Sequence, residues 1–230
     1  HALRRNVNLK ILLFNNRIYG LTKGQYSPTS EVGKITKSTP MGSLDAPFNP
    51  LSLALGAEAT FVARTIDSDR QHLQSVLRAA AEHEGTALVE IYQNCNIFND
   101  GAFEVLKEPG TRDEALIRLE HGRPIRFGAD AANGVFRAPD GELFTAAVTP
   151  DNEAALLVHD AHAASPATAF ALSRIADADT LHHTPIGVLR DVARPVYDEL
   201  MADQLATAAA HRGPGDLATL LAGNDTWTVD

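Results

Sequence analysis

Three short apolar segments constrain the fold of this chain more than any other feature. Leu9–Phe14, Thr60–Arg64 and Thr86–Tyr92 each read as a strand. The first is apolar almost throughout, which is typical of a sheet whose two faces are covered by helices. Between the second and third segments, an acidic cluster at 67–69 supplies a helix N-cap. The amphipathic pattern that follows predicts a helix ending near Gly85.

A second helix completes the alternation of strands and helices. Asn49 followed by Pro50 is typical of an N-cap with proline in the first turn, and it predicts a short helix over Leu51–Ala57. Strand, helix, strand, helix and strand with short connections form a right-handed parallel βαβαβ half-sheet. We therefore expect an α/β fold, in which residues 1–105 form the half-sheet and residues 106–230 form a C-terminal α+β appendage.

The pattern beyond Cys95 is less regular, with short elements between glycine and proline turns. The expected helices are Thr111–Glu120, 166–175, Val196–His211 and Asp216–Leu221. The expected strands are Leu143–Val148, Ala154–His159 and Ile186–Leu189. We expect this segment to pack on the half-sheet or on a partner.

Composition excludes several classes of protein. The 230 residues carry a net charge of −9, which argues against nucleic-acid binding. No apolar run approaches the roughly 18 to 20 residues needed to cross a bilayer. A single cysteine excludes an internal disulfide framework and fits a cytoplasmic protein. The chain begins at His1, about one helical turn before a strand, so we expect that an N-terminal segment is missing.

The polar loop that follows the first strand is the candidate site. Ligands of parallel α/β sheets bind where the chain leaves the carboxyl ends of strands. Asn16 could give a side-chain oxygen and Ile18 a main-chain oxygen to Mg²⁺, an ion that prefers oxygen ligands and commonly bridges to phosphates. Backbone amides and hydroxyls could approach phosphate oxygens at Gly20, Thr22, Gly24 and Ser27. The alternative is an Asn-Asn turn that ends a strand and binds nothing.

Several segments, in order and spacing, resemble one enzyme family. They are Asn15–Ser30, Lys37–Gly42, Pro47-Phe48 and Gln93–Asp100. The resemblance runs from residue 1 through Asp100 and is to the thiamine-diphosphate-binding β subunit of 2-oxoacid:ferredoxin oxidoreductases, in particular the actinobacterial 2-oxoglutarate enzymes. It implies CoA-dependent oxidative decarboxylation of a 2-oxoacid, with electrons passing to ferredoxin. It also implies an α subunit as partner.

The resemblance implies specific ligands for the cofactor. Thiamine diphosphate would be held through Mg²⁺ by Asn16, by the carbonyl of Ile18 and by the aspartate of a Gly-Asp-Gly motif. That motif is absent from this sequence. The chain would therefore hold half of the diphosphate site, and we expect this fragment alone to be inactive.

The family resemblance also implies residues that contact the substrate. Lys23 would face the reacting carbon of the cofactor and pair with the distal carboxylate of 2-oxoglutarate, and Leu21 would shape the substrate pocket. An ammonium on a flexible stem suits a single carboxylate reached through a cleft. The alternative for Lys23 is an ordinary solvated surface lysine.

Cys95 has two interpretations. A lone cysteine after a strand is often a buried and inert thiol. The resemblance instead implies that Cys95 is one of the four ligands of a [4Fe–4S] cluster, which needs four thiolates.

Two other functions stay open for the chain as a whole: a thiamine-diphosphate decarboxylase or synthase, and an inactive binding or assembly module.

Overall fold

The computed structural model describes residues 1–224 and Trp227. Its strands are β1 Lys10–Asn15, β2 Phe61–Ile66, β3 Ala87–Tyr92, β4 Leu116–Leu119, β5 Arg126–Phe127, β6 Asn133–Arg137, β7 Leu143–Ala147 and β8 Thr184–Asp191. Its α-helices are α1 Ala2–Arg5, α2 Pro50–Gly56, α3 Arg70–Glu82, α4 Arg112–Ala115, α5 Ala167–Ser173, α6 Tyr197–Arg212 and α7 Leu217–Ala222. Single 3₁₀ turns lie at Glu104–Leu106, Ala129–Ala131 and Glu153–Ala155.

A five-stranded sheet organises the chain, with strand order β1-β3-β2-β8-β4. The pairs β1–β3 and β2–β3 are parallel, β8 runs antiparallel to β2, and β4 runs parallel to β8. The expected α/β fold with a mainly parallel sheet is therefore confirmed. A separate antiparallel sheet has the order β5-β6-β7.

Helices cover the central strands on both faces. Every residue of β2 and β3 is buried. On one face Leu51 and Leu55 of α2 pack with Leu172 of α5, and on the other Val76 and Ala80 of α3 pack against β2 and β3. The expected caps are present, since the side chains of Asn49 and Asp69 accept backbone hydrogen bonds at the starts of α2 and α3.

The first strand differs from the expectation that both of its faces are covered. β1 is an edge strand, and along it the half-buried side chains of Ile11 and Leu13 alternate with the exposed ones of Leu12 and Phe14. Leu12 is 44% exposed and Phe14 is 56% exposed. The expectation is therefore wrong for β1. Among the described residues, no helix packs over the face of β1 that carries Leu12 and Phe14.

Two expected elements beyond residue 105 are also corrected. The segment Thr111–Glu120 is a helix only at α4, and it continues as β4 because Leu116–Leu119 pair with β8. The segment Ala154–His159 is a 3₁₀ turn followed by isolated bridges of Leu156 to Phe136 and of Val158 to Pro124. The N–H groups of Ile125 and His159 donate to the carbonyls of Leu157 and Arg123 around the Val158 bridge, and the pairing stays limited to these isolated bridges.

The C-terminal segment contributes two strands to the main sheet. β4 and β8 both lie beyond residue 105, and β8 pairs directly with β2. The two segments on either side of residue 105 therefore share one sheet. The helices α6 and α7 have no buried residues.

Asn6 connects the start of the chain to the sheet. Its backbone is left-handed, with φ 56°, and its side chain is fully buried. The Asn6 amide donates to the carbonyl of Arg194 at 2.9 Å, and its oxygen accepts from the Thr60 hydroxyl at 2.7 Å and the Thr86 N–H at 3.0 Å. One side chain thus joins α1, the sheet and the segment before α6.

Replacing Asn6 by alanine should lower the free energy of unfolding by about 3 kcal/mol, since buried groups left without partners cost about 1–3 kcal/mol each. Urea denaturation measures the change. The matched control is Asn8→Ala at an exposed position, where a change within about 0.5 kcal/mol is expected. Equal effects of the two substitutions would contradict the role of Asn6.

Candidate functional site

Two loops meet at the carboxyl ends of β1 and β3. The strands are parallel neighbours, and Asn15 at the end of β1 pairs with Tyr92 at the end of β3. The loop after β1 (residues 16–49) and the loop after β3 (residues 93–103) therefore leave the sheet side by side. These are the loops that contain the candidate residues from the sequence.

The loop after β1 starts with a turn held by the side chain of Asn15. The Asn15 Oδ1 atom accepts hydrogen bonds from the Arg17 N–H at 3.1 Å and the Thr29 hydroxyl at 2.7 Å. Arg17 has a left-handed backbone with φ 55°. Its buried guanidinium donates to the carbonyls of Thr29 at 3.1 Å and Ala178 at 3.0 Å. The turn is therefore held by both the side chain and the main chain.

Asn16 and Ile18 each have an oxygen atom that accepts no hydrogen bond from the described residues. The Asn16 side chain is half-buried and makes no hydrogen bond to residues 1–224, in contrast to Asn15. The Ile18 side chain is buried, and no N–H of the described chain donates to its carbonyl. An uncommitted amide oxygen and carbonyl two residues apart fit the donor set that Mg²⁺ prefers.

The tip of the same loop is narrow and solvent-exposed. The Tyr19 N–H donates to the Gln25 carbonyl at 2.8 Å, and the Gly24 N–H donates to the Tyr19 carbonyl at 3.0 Å. Four candidate residues lie between them: Gly20, Leu21, Thr22 and Lys23. Leu21 is 99% exposed, and Lys23 is exposed with a left-handed backbone at φ 65°. Both side chains are thus available to a ligand at the tip.

The tip packs against the loop after β3 through Phe98. A Cβ added to Gly24 would lie 3.1 Å from the Phe98 ring, and the φ of Gly24 is +96°. A Cβ added to Gly20 would lie 3.8 Å from the same ring. The glycine at position 24 is therefore required both for its backbone conformation and for its close approach to Phe98.

Cys95 lies at the start of a short turn in the loop after β3. It is half-buried, and its carbonyl accepts from the Asn99 N–H at 2.9 Å. The buried Asn99 side chain donates to the Asn16 carbonyl at 3.0 Å and also contacts Lys34. Asn99 thus connects the turn that carries Cys95 to the turn that carries Asn16.

The chain has a single cysteine, and its described part contains no complete metal site. Cys95 is its only cysteine, so it fits one ligand position of an iron–sulfur cluster. In the described ranges, no three His, Cys, Asp or Glu side chains converge in a geometry that could hold a metal ion. None of the helices described is long and apolar enough to span a membrane.

A buried ion pair lies directly behind the Asn15 turn. Arg64 on β2 is 2% exposed and Glu90 on β3 is 0% exposed, and their Nε and Oε2 atoms are 2.7 Å apart. The Arg64 guanidinium lies 5.0 Å from the centre of the Tyr92 ring. Burial raises the pKa of Tyr92 to about 12, so its hydroxyl stays neutral.

Sequence reasoning missed the residues that support the turn, namely Asn15, Arg17, Thr29, Arg64, Glu90 and Asn99. One available signal is the presence of a charge in the centre of each of two apolar strands. A buried charge is costly unless it is paired. That signal predicts a partner for Arg64 and for Glu90, although it does not predict the connection to Asn15.

Known proteins are similar to this chain in sequence and in fold. Residues 1–91 match the family described as thiamine pyrophosphate enzyme, C-terminal TPP binding domain. The chain is 58% identical, over its whole length, to the 2-oxoglutarate oxidoreductase subunit KorB of Mycobacterium tuberculosis. It is 43% identical over 99 residues to the 2-oxoacid:ferredoxin oxidoreductase subunit beta of Saccharolobus solfataricus, covering 43% of this chain and 32% of that relative.

A solved structure is similar across nearly the whole chain. It is the 2-oxoglutarate:ferredoxin oxidoreductase from Magnetococcus marinus, with 2-oxoglutarate, coenzyme A and succinyl-CoA bound. The TM-score is 0.66 at 26% identity, covering 98% of this chain and 61% of that one. The chain also spans 61% of the length of the mycobacterial relative. By its fold and these similarities, the chain resembles the β subunits of 2-oxoacid:ferredoxin oxidoreductases, of which it spans part of the length.

Proposed function

We propose that this chain is the thiamine-diphosphate-binding part of a 2-oxoglutarate:ferredoxin oxidoreductase, which converts 2-oxoglutarate and CoA to succinyl-CoA and CO₂ and reduces ferredoxin. One observation carries the proposal. The turn at the end of β1 offers two oxygen atoms, from Asn16 and Ile18, that accept no hydrogen bond within the described ranges, at the edge of the sheet where α/β proteins bind ligands.

Asn16 and Ile18 are the proposed protein ligands of Mg²⁺ in this chain. These two oxygens would hold the ion where its charge could offset that of the diphosphate. Gly20 and Thr22 lie just beyond, where the backbone of the loop can approach the phosphate oxygens. Thiamine diphosphate, when bound, supplies the electron sink that decarboxylation of a 2-oxoacid requires. The protein's own task is to position cofactor and substrate and to exclude water.

Lys23 and Leu21 are the proposed substrate contacts. Lys23 is exposed at the tip of the loop, and a flexible ammonium can pair with the distal carboxylate of 2-oxoglutarate. The exposed Leu21 side chain supplies apolar surface beside it. Pyruvate has no distal carboxylate, so Lys23 gives selectivity for the larger acid.

Cys95 is the proposed ligand of a [4Fe–4S] cluster that passes single electrons to ferredoxin. The other three cysteines of the cluster would come from outside this chain. The α subunit is the proposed partner. We assign residues 1–105 to the cofactor domain and 106–230 to an extension that completes its sheet. A half-buried cysteine without a disulfide suits a cytoplasmic location.

The full-length protein with its partner subunit should reduce a ferredoxin or viologen acceptor only when 2-oxoglutarate and CoA are both present. Lys23→Ala should raise the KM for 2-oxoglutarate about 10- to 100-fold, since a hydrogen bond to a charged group contributes about 1.5–3 kcal/mol. The KM for pyruvate should not change. Steady-state kinetics with both acids measures the difference.

The matched control is Arg78→Ala, which removes an exposed cation from α3, away from the loop. It should leave both KM values unchanged. Equal changes for 2-oxoglutarate and pyruvate in Lys23→Ala would contradict the substrate assignment. The absence of 2-oxoglutarate-dependent reduction in the unaltered complex would contradict the proposed function itself.

A further inference from the structure

A chain of three polar side chains runs across the sheet beneath the candidate metal turn. It begins at Arg64 on β2, passes through Glu90 on β3 and ends at Asn15 on β1. The Glu90 carboxylate accepts from the Arg64 Nε at 2.7 Å and from the Asn15 Nδ2 at 2.7 Å. Since β3 lies between β1 and β2, Glu90 joins both neighbouring strands.

The direction of these hydrogen bonds determines the orientation of the Asn15 amide. A carboxylate only accepts, so the amide must present its Nδ2 to Glu90 and its Oδ1 to the opposite side. There the Oδ1 accepts from the Arg17 N–H and from the Thr29 hydroxyl. Reversing the amide would break the hydrogen bonds with Glu90 and with the Arg17 N–H and release the turn at Arg17.

Arg64 and Glu90 form their ion pair out of contact with solvent. All three side chains are less than a tenth exposed. The pKa of Arg64 is raised, because the burial that opposes its charge is outweighed by Tyr92 and Glu90. Arg64 also lines a cavity of about 60 Å³, and its buried Nη1 has no partner among the described residues. A cavity of that size has room for water, which can satisfy such a donor.

We infer that Glu90 and Arg64 are positioning residues for the magnesium–diphosphate site. They act through Asn15, whose orientation sets the turn that presents the Asn16 and Ile18 oxygens to the metal. The inference rests on the proposed function and deepens it. A site for a metal with strict octahedral geometry depends on such support, because small displacements of its ligands weaken binding.

A reciprocal exchange of side chains tests the inference in the full-length protein. Glu90→Gln leaves one oxygen to accept from two donors, so the half-saturating Mg²⁺ concentration for thiamine diphosphate binding should rise about tenfold. Asn15→Asp places two carboxylates side by side and should raise it further. The double variant restores every hydrogen bond, with the carboxylate at position 15 and the amide at position 90. It should return the Mg²⁺ requirement close to that of the unaltered protein.

Calorimetric titration at a series of Mg²⁺ concentrations gives the half-saturation value, and thermal melting gives the stability of each variant. Leu189→Ala is the control, since it removes a buried side chain of β8 far from the turn. It should lower the melting temperature and leave the Mg²⁺ requirement unchanged. If Glu90→Gln fails to fold, Thr29→Val removes only one hydroxyl from the turn and should still raise the requirement about threefold.

The outcomes separate the inference from the function on which it rests. A raised Mg²⁺ requirement in the single variants, recovered in the double variant, supports the positioning role. Melting temperatures that fall without any change in the Mg²⁺ requirement overturn it and leave a structural role alone. If the unaltered protein shows no Mg²⁺-dependent binding of thiamine diphosphate, the proposed function is overturned, and the inference with it.

Discussion

Replacing Asn16 by alanine should weaken the Mg²⁺-dependent binding of thiamine diphosphate to the full-length protein about 100-fold. Loss of a residue that only supports a metal ligand already weakens metal binding by about 10- to 100-fold, so loss of a direct ligand should reach the upper end of that range. The physical reason is the loss of one of the few protein oxygens available to the ion. Calorimetric titration with and without Mg²⁺ measures the effect, which should disappear when the metal is removed.

The same substitution should have little effect on stability. The Asn16 side chain is half-buried and makes no hydrogen bond within residues 1–224, so the free energy of unfolding should change by no more than about 0.5 kcal/mol. Asn16→Asp is the matched variant, because it keeps an oxygen ligand of nearly the same size and should retain Mg²⁺-dependent binding. Unchanged affinity in Asn16→Ala would leave the turn as a simple strand end without a metal.

Local sequence signals account for the helices that surround the site. Asn49 before Pro50 predicts the start of α2, and the acidic cluster before Arg70 predicts the start of α3. In both cases the capping side chain and the backbone N–H it accepts from lie three residues apart. Such interactions depend on neighbours within one turn, so the sequence is sufficient to predict them.

The order of the strands could not be predicted in the same way. β2 lies between β1 and β3 in the sequence, whereas β3 lies between β1 and β2 in the sheet. Three parallel strands with helical connections can adopt more than one order, and the order here brings the Cys95 loop beside the Asn16 loop. Likewise, β8 is longer than expected because it pairs with β2, more than 100 residues earlier in the sequence.

The different roles of the two asparagines illustrate why part of the site escapes sequence reasoning. Asn15 and Asn16 are identical neighbours, and nothing local distinguishes them. Asn15 is engaged because Glu90, 75 residues away, accepts from its amide. The Asn16 side chain makes no hydrogen bond to any residue that the structure describes. The loop pattern and the family resemblance both suggested Asn16 as the ligand, and the hydrogen bonds of Asn15 are consistent with that choice.

Replacing Cys95 by serine should remove most electron transfer from the intact complex. Serine lacks the thiolate that a [4Fe–4S] cluster requires from each of its four ligands. Turnover with ferredoxin should fall from an ordinary value of about 10 s⁻¹ to about 0.1 s⁻¹ or less. Iron analysis and electron paramagnetic resonance of the purified complex should show a lost or altered cluster.

Binding of thiamine diphosphate should survive the Cys95 substitution, because the Asn16 turn is held by Asn15 and Arg17 rather than by the thiol. Ile97→Ala is the control within the same loop, since that side chain is 76% exposed and should affect neither iron content nor turnover. A complex of Cys95→Ser with full iron content and normal ferredoxin reduction would show that Cys95 is an ordinary half-buried thiol. Asn99 in the loop after β3 donates hydrogen bonds to the carbonyls of Asn16 and Arg17. If the Cys95→Ser complex lost both iron and thiamine diphosphate binding, the loop after β3 would support the turn at Asn16 more strongly than these two hydrogen bonds suggest.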